Sequence, residues 1–189
     1  MAANTTREVT MGDFVAHTEQ WHHEQAERQR DPEFLAWLAA MDAELDRLVR
    51  EDAPELGKLD SPWTAEGLQV IAQTALRQLP DFAAAPLAGE PFERFQRFAR
   101  GIGHIFRTCC DGQWKYAVTV SLPGEADRPV PVVEIASSPV WFDPQTMLAY
   151  VLFDHTDTIL LDAFEHATTD HREWIAAGRP APAEWLQLR

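Results

Sequence analysis

The chain has 189 residues, 46% of them hydrophobic, enough apolar material for one well-packed domain. Sixteen Lys and Arg stand against 30 Asp and Glu, a formal charge of −14. So acidic a surface repels phosphate backbones and anionic lipid, which argues against nucleic-acid and membrane binding as default roles.

Segment 11–30 is polar, with Phe14, Val15 and Trp21 as its few anchors, and reads as a loosely held helix or arm. Three dipeptides, Asp31-Pro32, Ser61-Pro62 and Asp143-Pro144, each put a capping oxygen before a proline, the signature of a helix start. From Pro32 to about residue 51, Phe34, Leu38, Met41, Leu45 and Leu48 form one apolar stripe, and acidic residues fill the other faces. The helix expected over 62–79 buries Leu68, Ile71, Ala72, Ala75, Leu76 and Leu79, and Pro80 stops it. A loop follows at 81–90. Over 91–108, Phe92, Phe95, Phe98, Ile102, Ile105 and Phe106 share one broad helical face, while Arg97, Arg100, His104 and Arg107 share the opposite one.

The period then changes to two. Trp114, Tyr116, Val118 and Val120 alternate with Lys115, Ala117, Thr119 and Ser121, which predicts a half-buried strand, and 130–136 is its β-branched partner. A loop or short third strand spans 137–142. Helices are expected from Pro144 to about 153 and from Asp157, as N-cap, to about 177, with Trp185 and Leu186 docking back. The predicted class is α+β: a helical N-terminal half, a small antiparallel sheet of two to three strands, and C-terminal helices packed on it. The expected division is an acidic helical extension over 1–60 and an α+β core over 61–189.

No catalytic set emerges from the motifs. Gly101-Ile-Gly103 lies inside a helical period rather than after a strand, so it reads as close helix packing and not as a phosphate loop. Glu19, His23 and Glu27, and likewise Asp162, His166 and Asp170, fall at i, i+4 and i+8, with His171 adjacent. Both trios read as solvated helix faces, and neither a metal nor a cofactor is expected. The two cysteines are the neighbours Cys109 and Cys110. They read as reduced thiols, and a helix C-terminus beside Cys109 raises a thiol pKa rather than activating it. No run approaches the ~20 apolar residues of a membrane helix. Residues 1–10 lack a secretion signal's apolar segment, so a cytoplasmic protein is expected.

The charge is uneven: −8 over 1–60, +1 over 61–110 and −7 over 111–189. The cations of the 91–108 helix either pair with internal acids, for instance from the 32–51 helix, or contact an anion or partner through Arg97, Arg100, His104 and Arg107.

The run from Phe95 to Arg107, followed by Asp111-Gly112-Gln113-Trp114-Lys115-Tyr116, resembles a pattern in small bacterial α+β proteins. In these a helix ending in Ile-Gly-x-(Val/Ile)-(Phe/Leu)-Arg leads through a glycine turn to a tryptophan-bearing strand. Many are uncharacterised and some resemble immunity proteins of polymorphic toxin systems. The resemblance spans about 61–165. It implies a fold in which the glycines pack, Gly112 turns and Trp114 enters the core, and it carries over no catalytic residue.

The leading expectation is therefore a non-enzymatic interaction module, an immunity-type inhibitor of a basic toxin, whose contact acids are Glu44, Asp46, Glu51 and Asp52, with Asp162 and Glu165 second. The competing class is a small-ligand binder or enzyme, with Trp114, Tyr116, Trp141 and His155 lining a pocket between sheet and helices. A third reading is a homodimer that exchanges the 11–51 helices and so covers their apolar stripe.

Overall fold

The computed structural model describes residues 19–79, 89–118 and 128–188. In chain order these form α1 (Glu19–Arg28), α2 (Pro32–Ala39), α3 (Met41–Arg47), a π-helical turn (Leu48–Asp52), a 3-10 turn (Pro54–Lys58), α4 (Ala65–Gln78), α5 (Glu90–Cys109), β1 (Gln113–Val118), β2 (Pro129–Glu134), α6 (Pro144–Asp154), α7 (Thr158–Ala176) and α8 (Pro182–Gln187). The α+β class is as expected. The expected loop at 81–90, strand positions 119–121 and segment 11–18 fall wholly or mostly outside the described residues.

Two of the three Asp/Ser-Pro starts cap helices. The Asp31 carboxylate accepts the Glu33 N–H at 2.8 Å, and Asp143 accepts those of Gln145 and Thr146 at 3.0 and 3.1 Å. Ser61-Pro62 does not: α4 begins at Ala65, and residues 61–64 fold back so that the Pro62 carbonyl lies over Gly67. A Cβ on Gly67 would stand 1.7 Å from that oxygen, so only glycine fits. Asp157 occupies the N-cap position of α7 without a side-chain cap bond; its carboxylate accepts instead from Gln73 Nε2 of α4, at 3.4 Å.

The helix expected over 32–51 is broken. It divides at Ala40, and its end widens into the π-helical turn, closed by the Ala53 N–H bonding to the Leu48 carbonyl at 2.7 Å. The stripe survives the break: Phe34, Met41, Leu45 and Leu48 are buried and Leu38 is half-buried. Packing also crosses residue 60. Met41, Leu45, Leu48, Ala53 and Leu56 lie in the same apolar cluster as Leu68, Ile71, Phe98, Ile102, Leu148 and Leu160.

Helix α5 runs through the centre of this cluster. Its two internal glycines mark its closest contacts: a Cβ on Gly101 would meet Leu48 and Ile71, and one on Gly103 would stand 2.1 Å from the Trp114 ring. Gly103 thus lets β1 lay its tryptophan directly on the helix.

The sheet has two antiparallel strands in the register Gln113↔Glu134 to Val118↔Pro129. The third element is one bridge, Val133 with Phe142, rather than a strand. Both sheet edges are partly occupied. On β1, the Gln29 side-chain amide pairs with the backbone of Tyr116 as a neighbouring strand would, accepting its N–H at 2.9 Å and donating to its carbonyl at 3.0 Å. On β2, Pro129 and Pro131 carry no N–H to donate, and Val133 is taken by Phe142. At the C-terminus Trp185 docks as expected, donating its indole N–H to the Ser137 carbonyl at 3.0 Å. Among the described residues no helix is long and apolar enough to cross a membrane.

Candidate functional site

The π-helical turn decides the fate of the acidic and basic faces. Its extra residue carries Asp52 into the protein, where it is 2% exposed. There its carboxylate takes a forked pair of hydrogen bonds from the equally buried Arg97, and a third from Arg94 Nε at 3.2 Å. Glu90 bonds Arg94 Nη2 at 2.7 Å and lies 3.5 Å from Arg97 Nη2, closing the cluster at the start of α5. The Asp52 hydrogen bond holds the Arg97 pKa above its ordinary value.

Asp52 is therefore not part of an exposed acidic face, and Arg97 is not an exposed cation. Arg100 is buried as well. It stacks over the Trp37 ring at 4.1 Å and donates to the Trp37 carbonyl at 2.7 Å. Burial draws its pKa down to about 10, partly offset by Glu44. His104 rests edge-on against Trp63 at 4.8 Å, half-buried, and burial followed by the Arg107 charge keeps its pKa below the ordinary value. Of the four cationic-face residues, Arg97 and Arg100 are buried and His104 and Arg107 are partly exposed.

The expected contact acids divide accordingly. Asp46, Glu51, Asp162 and Glu165 are exposed, and Glu44 is half-buried. Glu51 pairs with Arg47 at 2.7 Å, an exposed pair of a kind that contributes ~0–1 kcal/mol.

The four residues proposed for a pocket do not converge. Trp114 packs on Gly103 and meets Trp37 edge-on at 4.9 Å. Tyr116 is buried in a stack on Phe34, 5.1 Å between centroids. His155 is exposed at the left-handed cap of α6. The crevice between Trp37, Arg100, Trp114 and Pro144 has no room for a water molecule.

Trp141 lines a groove at the end of the sheet. It stacks on Trp21 of α1, with ring planes 8° apart and centroids at 6.2 Å. Beside them opens a groove of about 700 Å³ that also reaches Asp111, Glu134, Ile135 and Val140. Trp21 is legible in the sequence as an isolated aromatic anchor; that it meets Trp141, 120 positions away, has no local signature.

The two thiols are free, and neither is activated. Burial raises the Cys109 pKa, and burial together with the charges of Cys109 and Asp111 pushes Cys110 up to about 12. His23 pairs with Glu27 at 3.3 Å on an exposed helix face, and His166 Nδ1 lies 2.8 Å from the Asp162 carbonyl oxygen of its own helix. Among the described residues no three His, Cys, Asp or Glu side chains are grouped to hold a metal ion.

Comparison with known proteins finds no matching family model, no similar curated protein and no similar solved structure.

Proposed function

We propose that this chain is a non-enzymatic interaction module that engages a basic protein through its exposed acids, in the manner of an immunity-type inhibitor of a basic toxin. The observation that carries the reading is the inward placement of Arg97 and Arg100. Among the described residues two Lys and Arg side chains, Arg97 and Arg100, are withdrawn from the surface, against one buried carboxylate, Asp52. Over the described residues the exterior is therefore one charge more acidic than their sequence total, and its acids steer and hold a cationic partner.

The contact face assigned here is the outer side of α3 and the turn after it, centred on Asp46 and Glu51, with Asp162 and Glu165 of α7 as a second patch. The competing reading, a ligand-binding protein or enzyme, needs a pocket between sheet and helices. The filled space around Trp114 weighs against it. Two cysteines outside any disulfide fit a reducing, cytoplasmic setting.

The test is affinity capture from the native host with the full chain as bait, alongside the Asp46→Lys/Glu51→Lys variant. The reading expects a basic protein that the wild type retains and the variant loses. Recovery of no basic protein, or equal recovery by both baits, overturns it.

A further inference from the structure

We infer that the groove beside the Trp21–Trp141 stack is a docking site for an extended, arginine-bearing segment of a protein partner. The inference takes the sign of the partner from the reading above, but it concerns a different surface.

Three properties of the groove select such an occupant. Its charged walls are both carboxylates, Asp111 and Glu134, each about half exposed. Trp21 and Trp141 supply indole rings, and this chain already stacks guanidinium groups on indoles twice, Arg100 on Trp37 and Arg179 on Trp174. Its apolar wall, Pro139 with the 68%-exposed Val140, suits the aliphatic stem of an arginine or the apolar residue between two of them.

Both carboxylates have cations nearby. Asp111 lies 3.3 Å from Arg179 and 3.5 Å from His171, and Glu134 lies 3.3 Å from Lys115. Arg179 and Asp111 are substantially exposed, whereas Lys115 is partly buried and His171 is buried; the exposed Arg179–Asp111 pair adds little stability, so an incoming guanidinium can exchange into it. A bidentate arginine–carboxylate pair formed against the indoles is the stronger arrangement.

The mode of binding is also constrained. The neighbouring sheet edges are occupied at Tyr116 by Gln29 on one side and lack N–H donors at Pro129 and Pro131 on the other. These contacts disfavour strand addition at Tyr116, Pro129 and Pro131, and recognition in the groove rests on side chains.

The test titrates the full chain with an acetylated, amidated Gly-Arg-Leu-Arg-Leu-Arg-Gly peptide by calorimetry at about 0.15 M salt. The Glu-for-Arg peptide is the control. Saturable binding of the arginine peptide alone is expected. Trp141→Ala and Asp111→Asn/Glu134→Gln should each weaken it at least about tenfold, a loss of ~1.4 kcal/mol. Asparagine is the substitute at position 111 because the backbone there is left-handed, φ 49°. The Asp46→Lys/Glu51→Lys variant should bind the peptide as the wild type does. Absent binding, equal binding of the two peptides, or wild-type affinity in the groove variants overturns the inference. Loss in the Asp46→Lys/Glu51→Lys variant instead moves the site to the acidic helical face, which overturns the groove and leaves the basic-partner reading standing.

Discussion

Asp52 and Arg97 stand 45 positions apart in the chain and form a forked ion pair with both side chains 2% exposed. It joins the end of the α3 segment to the first half of α5. Removing one partner leaves the other charge buried and uncompensated. Asp52→Ala should therefore cost about 3–5 kcal/mol in urea unfolding, while the apolar pair Asp52→Leu/Arg97→Met recovers most of that loss. A single-variant loss below about 1 kcal/mol would mean that water or Glu90 replaces the carboxylate.

Gly103 offers a test in which local preference and packing oppose each other. Alanine gains about 1 kcal/mol in helix propensity, yet overpacking costs about 1–3 kcal/mol. The added Cβ would stand 2.1 Å from Trp114 Cη2 and 2.8 Å from Pro144 Cγ, and Trp114 is backed by Trp37. Gly103→Ala should lower the urea midpoint and shift tryptophan fluorescence. A stabilised variant would show that β1 can retreat from the helix.

His104 makes stability depend on pH. Its pKa is held below 6.5 chiefly by burial, so the unfolded chain takes up its proton before the folded chain does. Its contribution is complete above the unfolded pKa and is lost as pH falls through the folded one. Between about pH 7 and 5 the wild type should lose more stability than His104→Gln. Parallel urea-midpoint profiles for the two proteins would contradict this.

Thiol chemistry follows from burial. With its pKa pushed up to about 12, Cys110 keeps only ~10⁻⁴ of its thiol ionised at pH 8. Cys109, also raised, donates weakly to the Trp63 carbonyl at 3.6 Å. Ellman's reagent should leave Cys110 unlabelled in the native protein, label Cys109 more slowly than a free cysteine, and label both in urea. Rapid native labelling of two thiols would contradict the packing.

Much of the fold was legible where the cause is local. Asp31 and Asp143 cap the helices they announce, the stripe from Phe34 to Leu48 turns inward, and the glycines of α5 sit at its tightest contacts. The misreadings have tertiary causes. A hydrophobic face on α5 implies that the arginine face is solvated, but this helix is central and α2 and the π-helical turn cover its other side, so Arg97 and Arg100 meet Asp52 and Trp37. The π-helical turn leaves no mark in the spacing of acids, and without it Asp52 reads as one more surface carboxylate beside Glu51. Gln29, in a polar segment with nothing to distinguish it, occupies the sheet edge at Tyr116 because its amide has the shape of a peptide group. The aromatic groove joins α1 to the segment after β2, and no spacing rule connects them.

The central claim is that the acidity left outside after Arg97 and Arg100 turn inward is a contact surface for a basic protein. The most direct test is calorimetric titration of the purified captured partner into the wild type and into Asp46→Lys/Glu51→Lys, at about 0.05 and 0.2 M salt. The account predicts a partner of high isoelectric point, affinity that falls with salt, and a loss of at least about tenfold in the variant. An acidic partner, or an affinity unmoved by both salt and charge reversal, would contradict it.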